Sequence, residues 1–284
     1  MIKVAIYLFI FCNLLLSNKN IVDINSNIIK IDKKRCSELF KQARSLEKNG
    51  LYNEAKLIYS NILFEDPSNK VAFNKIKIIL INEENFSLLK EFAENYYLFQ
   101  SNNPMAKIEL LGVYLISNDT KWKMISDEIF SENIKTDFVI KNLLNNLLKS
   151  DFTDYANTLI QIKRKEINKQ DFYSFEMGNY YISRLKYESA IVEFLIFLDK
   201  NPNQYYSIST KICSIPDYVD LQKKIKNILN ESELKSSKIL LSDLEFKNEN
   251  FRESYNLLKN NFKDPNQLLD FAYQNKKIYN YDLA

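Results

Sequence analysis

Histidine is absent from the 284-residue chain, and glycine, cysteine and tryptophan are scarce, at three, three and one residues. Without histidine, Ser/His/Asp and Cys/His nucleophile systems and the usual zinc sites are excluded. No cysteine pair has the Cys-x-x-Cys spacing, and three isolated glycines cannot form a phosphate-binding loop or a dinucleotide fingerprint. We therefore expect no catalytic residue, no cofactor and no metal ion, and interpret the chain as a non-enzyme.

Charge and composition favour a helical protein without a nucleic-acid partner. The 39 basic and 36 acidic residues leave a net charge of +3, far from the concentrated basic surface of a phosphate binder. The basic runs at 163–165 and 223–226 fall near predicted helix ends, where solvated cations complement the helix dipole. Hydrophobic residues make up 46% of the chain, and few alternating runs argue for a sheet, so an all-α fold is expected.

One spaced pattern repeats along the chain: a small residue, an aromatic residue nine positions later, and a second small residue three further. The first position of each copy, which we call the anchor, falls at 43, 77, 112, 143, 178, 209, 242 and 272. Four copies keep all of the pattern, namely Ala43, Tyr52 and Ala55; Gly178, Tyr187 and Ala190; Ser242, Phe251 and Ser254; and Ala272, Tyr281 and Ala284. The intervals of 30 to 35 residues predict one helix pair repeated along the chain.

The pattern has a physical basis in helix packing. Two antiparallel helices approach closely only where the crossing residue is small, as at Ala43 and Gly178. Gly50 falls in the predicted turn between the first two helices, and Pro67 and Pro202 fall where repeat units end. We predict an all-α α-solenoid of about seven to eight antiparallel helix pairs.

The copy from Cys36 to Asn69 resembles the tetratricopeptide repeat (TPR). It has a bulky residue, a small one, a bulky one, Gly, Tyr, Ala, an aromatic and Pro where that family usually has them, at Leu39, Ala43, Leu46, Gly50, Tyr52, Ala55, Tyr59 and Pro67. The copy from Asp171 to Asn203 is similar, but others are degenerate, with Lys77 at a small position and Lys121 at an aromatic one. Divergent pairs of a related superhelix remain an alternative for these. The resemblance covers about residues 36–284. It implies a right-handed superhelix whose first helices line a concave groove that binds proteins or peptides.

Carrying the family's groove positions onto the first helix of each pair selects mostly apolar residues. The candidate binding residues are Phe40, Arg44, Asn74, Ile78, Phe175, Asn179, Ile182 and Tyr206, and the further groove positions are Val113, Ile116, Ile140, Leu144, Thr210, Ile239, Asp243 and Phe246. Phe40 and Phe175 stand where the family's clamp for a terminal carboxylate has lysine, which disfavours that ligand. We expect an extended or helical segment instead, with its backbone held by the amides of Asn74 and Asn179.

The N-terminus differs from the repeats. Lys3 precedes an apolar run from Val4 to Leu16, which is shorter than the roughly 20 residues that span a bilayer. We predict a signal peptide over 1–20, with a spacer over 21–35 and the repeat domain over 36–284. An uncleaved membrane anchor is the alternative. Export to the periplasm, the cell envelope or the medium is therefore expected, with no lipid anchor at Cys12.

Cys36 and Cys213 lie five repeat units apart in the predicted array, which is too far for an internal disulfide.

Tyr281 and Ala284 match the start of a second helix, so the pattern predicts that the last repeat is incomplete. We interpret this as a fragment of a longer repeat protein, or as self-association with a second chain through the C-terminal end.

The combined prediction is a non-enzymatic, exported scaffold or adaptor that binds a protein or peptide segment in its concave groove. Two alternatives stay open: an enzyme that uses a carboxylate pair on an envelope polymer, and a structural or regulatory segment of a larger repeat protein. The acids near the groove, Glu109 and Asp243, fall in units four apart, which argues against a paired-carboxylate site.

Overall fold

The computed structural model describes residues 33–261 and 265–277, with side chains for 33–261 and 268–277. This part of the chain forms fifteen α-helices and no strand. The helices are α1 (Lys33–Lys48), α2 (Tyr52–Glu65), α3 (Lys70–Asn82), α4 (Phe86–Leu98), α5 (Pro104–Ile116), α6 (Lys121–Asn133), α7 (Asp137–Lys149), α8 (Thr153–Glu166), α9 (Ser174–Ser183), α10 (Tyr187–Lys200), α11 (Tyr205–Cys213), α12 (Val219–Glu231), α13 (Lys235–Lys247), α14 (Phe251–Asn261) and α15 (Pro265–Lys277). A 3₁₀ turn, Pro202–Gln204, precedes α11.

The helices follow the repeat pattern. Each of the eight anchors, from 43 to 272, lies in an odd-numbered helix. The position nine residues after the anchor is the first residue of an even-numbered helix at Tyr52, Phe86, Lys121, Tyr187 and Phe251. In α8 and α12 it immediately precedes the helix. The predicted all-α array of helix pairs is confirmed, including at the degenerate copies.

The array divides into two compact units, with the boundary between Glu132 and Asn133. In the first unit, described from residue 33, α1 to α5 pack each on the next along the chain. In the second unit, a core centred on Phe194 joins α10 to α13, and α11 also packs directly on α13. Sequential packing of this kind is typical of helical repeats.

The small residues of the pattern lie at helix crossings. Ala43, Ala55 and Ala190 are completely buried. At Gly178, a Cβ atom would lie 2.4 Å from a ring carbon of Phe194, because α10 approaches α9 so closely. The prediction that small side chains permit these crossings is confirmed.

The turn inside most pairs contains one residue with left-handed backbone geometry. The first such residue is Gly50, at a φ of 75°. Five further pairs have a non-glycine residue with a φ between 52° and 62° at the equivalent place: Glu84, Asn118, Asp151, Leu185 and Glu249. The first five of these six residues lie 33 or 34 positions apart, so the turn repeats even where the sequence offers no glycine.

Asparagine caps the start of several helices in the first unit. The Asn69 side chain accepts from the Ala72 amide at the start of α3, and the Asn85 side chain accepts from the Leu88 amide at the start of α4. Asn103 does the same at α5. Each bond satisfies an amide that the helix itself leaves unpaired. The many asparagines of the chain thus help to define where helices begin.

Several predictions fall outside the described residues. The predicted signal peptide, 1–20, lies wholly outside them, as do the positions 281 and 284 on which the incomplete last repeat depends. Within the described helices, none combines the length and the apolar character needed to cross a membrane.

Candidate functional site

The four predicted binding residues of the first unit lie on α1 and α3. Phe40 is half-buried, with its ring centroid 6.0 Å from that of the buried Tyr59. Arg44, one helical turn later, is exposed. On α3, Asn74 is half-buried, and Ile78 keeps 55% of its surface exposed. We call Phe40, Arg44, Asn74 and Ile78 the first-unit surface.

Two ion pairs join the odd-numbered helices of this unit. Lys75 of α3 binds Glu47 of α1 at 2.8 Å, and Lys77 of α3 binds Glu109 of α5 at 2.5 Å. The Lys77 ammonium also lies 5.6 Å from the ring centroid of Phe73. Lys77 is therefore accommodated at an anchor position because its charge reaches an acidic partner on the next odd-numbered helix.

In the second unit, Phe175 of α9 is packed against its neighbours. Its ring centroid lies 5.2 Å from that of Phe197 and 6.4 Å from that of Phe194, both on α10. The Lys211 Nζ of α11 lies 5.8 Å from the Phe175 ring centroid. Because Phe175 is half-buried, part of its ring stabilises the packing of α9 on α10 and part is open to a ligand.

The other predicted residues of this unit differ in how accessible they are. The Asn179 Nδ2 donates to the Phe175 carbonyl at 2.7 Å, so one of its amide hydrogens is used within α9. Ile182 is half-buried, whereas Tyr206 of α11 is 76% exposed, with its ring edge-on to Tyr205 at 5.7 Å. We call Phe175, Asn179, Ile182 and Tyr206 the second-unit surface. Tyr206 is its most open member.

Three further groove positions are not accessible to a ligand. Val113 of α5 is fully buried, and so are Ile140 and Leu144 of α7. The family's register therefore assigns to the groove some residues that this chain uses in its core. Ile116, one turn beyond Val113, is by contrast 45% exposed.

Asp243, another groove position, is held in a polar cluster between α11 and α13. The Tyr205 hydroxyl donates to Asp243 Oδ2 at 2.5 Å, and the Ser209 hydroxyl donates to the same oxygen. The Cys213 Sγ lies 4.0 Å from the Ser209 Oγ. We call Tyr205, Ser209, Cys213 and Asp243 the α11–α13 cluster. The repeat pattern did not predict it, although the i, i+4 spacing of Tyr205 and Ser209 puts both hydroxyls on one helix face.

Burial controls the titration of the α11–α13 cluster. It raises the pKa of the Asp243 carboxyl above its usual range, although the hydroxyls of Ser209 and Tyr205 oppose that shift. Burial, and after it the charge of Asp243, raises the pKa of both Tyr205 and Cys213. The phenol and the thiol therefore stay protonated at neutral pH, and Asp243 is the member of the cluster that titrates in acid.

The basic run at 163–165 is not the solvated helix end that the sequence predicted. Lys163 is completely buried and binds Asp137 at 2.7 Å, with its Nζ 4.8 Å from the Phe172 ring centroid. Arg164 is 2% exposed and binds Glu193 of α10 at 2.6 Å. Both side chains extend from the last turn of α8 and bind neighbouring segments of the second unit. Two of the three charged residues at 163–165 therefore stabilise the fold.

The acidic side chains and thiols of the described residues form no metal-binding group and no disulfide. Among them, no group of three His, Cys, Asp or Glu side chains could hold a metal ion. Cys36 and Cys213 are both unbonded thiols. Glu109 is paired with Lys77, and Asp243 accepts from two hydroxyls, so each acid has a partner in its own unit.

Comparison with known proteins gives distant likenesses among solved structures. No protein-family model matches this chain, and no curated protein does. Among solved structures, a chain of the human IFIT1 dimer with m7Gppp-AAAA is similar at 13% identity, over 88% of this chain and 75% of that one, with a TM-score of 0.31. A superposition of this quality carries no argument about ligands or activity. The helix pairs themselves show an all-α helical-repeat fold over the described residues.

Proposed function

We propose that the chain is a non-enzymatic scaffold that binds segments of another protein on its odd-numbered helices. The observation that carries this proposal is the exposure of large side chains there, with Ile78 at 55% and Tyr206 at 76%. Aromatic and aliphatic side chains of this kind are the usual anchors of protein interfaces. The two surfaces lie in different units, and each is proposed as a binding surface by itself.

The packing around the two surfaces supports a preformed site. In the first unit, the ion pairs of Lys75 with Glu47 and of Lys77 with Glu109 fix adjacent odd-numbered helices. In the second unit, Phe175 is held between Phe197 and Lys211. Because these side chains are already ordered, this protein loses less conformational entropy when a partner segment binds than it would with a loose surface.

The test is a selection of displayed random peptides on the full chain, followed by affinity measurements on variants. Ile78→Ser should weaken peptides that bind the first-unit surface about tenfold, and Tyr206→Ser should do the same for peptides that bind the second-unit surface, since side chains that become buried in an interface dominate binding energy. The matched controls are Leu57→Ser on α2 and Tyr218→Ser before α12, which are 57% and 69% exposed. All four changes are at exposed positions, so the melting temperature should change little.

Two outcomes would overturn this function. One is that the control variants weaken the peptides as much as Ile78→Ser and Tyr206→Ser do. The other is that no peptide is enriched while single-stranded RNA or DNA oligonucleotides, titrated against the same protein, bind at physiological salt. That result would assign the surfaces to nucleic acid, despite the net charge of +3.

We also propose that the protein is exported, which rests on the sequence of residues 1–20 alone. Lys3 followed by the apolar run Val4 to Leu16 is the supporting feature. Expression of the full chain in a bacterial host, with intact-mass measurement of the cytosolic, periplasmic and membrane fractions, tests it. A product that keeps residues 1–20 and stays in the cytosol would contradict export.

A further inference from the structure

Asp243 is a half-buried carboxylate that has no cationic partner among the side chains that the structure describes. Its Oδ2 accepts from the hydroxyls of Tyr205 and Ser209. Across residues 33–261 and 265–277, no lysine or arginine forms a salt bridge with it, and no hydrogen bond reaches its Oδ1. Removing a carboxylate from water without a cation is costly, and hydroxyl donors offset only part of that cost.

The nearby cations are engaged elsewhere. Lys247, one turn beyond Asp243 on α13, binds Asp217 at 2.5 Å and the Ile215 carbonyl at 3.2 Å. Lys211 of α11 lies over the Phe175 ring. Among the other basic residues of α12 and α13, Lys224 binds Glu188, Lys226 binds Glu245 and Lys238 binds Asn230. Cys213, the remaining titratable neighbour on α11, stays neutral because burial raises its pKa.

The surroundings of the carboxylate suit an organic cation. The Tyr205 ring, whose hydroxyl reaches Asp243, lies 5.7 Å from the ring of Tyr206, and Tyr206 is 76% exposed. A carboxylate beside aromatic rings recognises ammonium and guanidinium groups, through charge-assisted hydrogen bonds and contact of the cation with ring faces. An uncharged hydrogen-bond donor would form a weaker hydrogen bond with the carboxylate and would lack the attraction of a cation for the ring faces.

We propose that the crease between α11 and α13 binds a lysine or arginine side chain of the partner segment, with Asp243 as its counter-ion. The proposal rests on the function proposed above and deepens it, because it names the chemistry of one contact. The cation approaches Asp243 Oδ1, the oxygen left open by Tyr205 and Ser209, and the exposed ring of Tyr206 covers its aliphatic stem.

The test uses small probes, so that it does not depend on finding the partner. The full chain is labelled with ¹³C at the aspartate carboxyl carbon, and the Asp243 signal is assigned by its loss in Asp243→Asn. N-acetyl-lysine methylamide and N-acetyl-arginine methylamide are titrated, with N-acetyl-norleucine methylamide as the uncharged control. We expect the two cations to shift the Asp243 signal saturably and to lower the pKa of its carboxyl, and norleucine to do neither.

Two comparisons decide the result. The exposed carboxylates of Asp217 and Asp220 report general ionic effects, and Asp243 should shift at least threefold more than they do. Tyr206→Ser should weaken the saturation, while Tyr218→Ser should leave it unchanged. Equal shifts at all three aspartates, or an equal response to norleucine, would overturn the cation site. A positive titration together with either of the two outcomes that overturn the proposed function would leave the cation site in place and reject that function.

Discussion

The Phe194 ring on α10 closes over Gly178 on α9, where a Cβ atom would lie 2.4 Å from a ring carbon. Gly178→Ala must therefore displace the ring within a core that has no spare volume. We expect the substitution to lower the free energy of unfolding by about 1–3 kcal/mol, because overpacking outweighs the roughly 1 kcal/mol by which alanine favours a helix over glycine. Urea denaturation followed by circular dichroism measures the change.

Two variants make this prediction specific. Ser189→Ala, at an exposed position of α10, should be nearly neutral. Phe194→Leu removes ring atoms, so Gly178→Ala should be less harmful in that background than in the natural one. If Gly178→Ala leaves the free energy of unfolding unchanged while Phe194 is present, then α9 and α10 can move apart at this crossing without cost, which would contradict the prediction.

The left-handed turn residues predict an uncommon stabilising change. Leu185 has a φ of 58°, which costs an L-residue roughly 1–2 kcal/mol relative to its preferred geometry. Leu185 is also 72% exposed, so its side chain contributes little packing. We expect Leu185→Gly to raise the free energy of unfolding by about 0.5–1 kcal/mol, as measured by urea denaturation.

The neighbouring residue provides the control for the turn. Lys186 has a φ of −90°, where glycine offers no geometric advantage, so Lys186→Gly should destabilise the protein. Gly50→Ala, at a φ of 75° in the first unit, should also destabilise it. A loss of stability in Leu185→Gly would show that the Leu185 side chain contributes more than its backbone geometry costs.

The α11–α13 cluster predicts how stability depends on pH. Because the pKa of Asp243 is raised in the folded protein, the fold favours the neutral carboxylic acid over the carboxylate. Stability is therefore lost as pH rises through the folded pKa. Asp243→Asn keeps an oxygen for the hydroxyls and removes the charge. We expect this variant to be more stable than the natural protein at pH 7, with the difference disappearing towards pH 4, in thermal melts across that range.

Asp119, in the first unit, is a control whose pKa is shifted in the direction opposite to that of Asp243. The backbone amide of Lys121 and the Lys90 side chain lower the pKa of Asp119. Its contribution is therefore present at neutral pH and lost as pH falls through the folded pKa. Asp119→Asn should be less stable than the natural protein at pH 7 and no different in strong acid. The fluorescence of Trp122 on α6 reports the first unit separately. The same pH trend in both variants would contradict the assignment for Asp243.

The buried guanidinium of Arg164 predicts a large loss on substitution. It donates to the Phe172 carbonyl at 3.0 Å, to Ser174 Oγ at 2.8 Å and to Glu193 at 2.6 Å. Arg164→Met leaves the Glu193 carboxylate, which is only 13% exposed, without its ion pair, and this should cost about 3 kcal/mol in urea denaturation. Adding Glu193→Met removes that charge, so the double variant should recover much of the loss. A double variant no better than the single one would assign the cost to the lost carbonyl and hydroxyl bonds.

The array of helix pairs could be predicted from the sequence because it depends on the spacing of small and aromatic residues. The anchors at Ala43 and Gly178, and the aromatic residues nine positions later, mark helix crossings and helix starts that any repeat of this kind must have. The predicted array of helix pairs follows from them directly. The binding residues named from the family register stay predictions, because exposure depends on how each pair packs, and Ile140 is core while Ile78 is open.

What the sequence missed concerns side chains whose partners lie about one repeat away. Lys163 and Arg164 look like an ordinary basic helix end, and only the fold brings Asp137 and Glu193 to them. The environment of Asp243 was missed for the same reason, since its hydroxyl partners are on another helix. A local sequence pattern cannot predict such contacts, because they depend on which side chains of neighbouring helices meet in the fold and not on the adjacent residues of the sequence.

The left-handed residue inside the pairs means that the length of this turn matters more than its composition. Gly50, Glu84 and Leu185 differ in chemistry, yet the helix after each begins two residues later. An α-helix turns by about 100° per residue, so one residue inserted after Leu185 would rotate the face that α10 presents to α9 by that angle. Ala190 would leave its buried position, and the Phe194 ring would no longer lie over Gly178. Insertions should therefore be excluded from these turns even where almost any residue can be substituted.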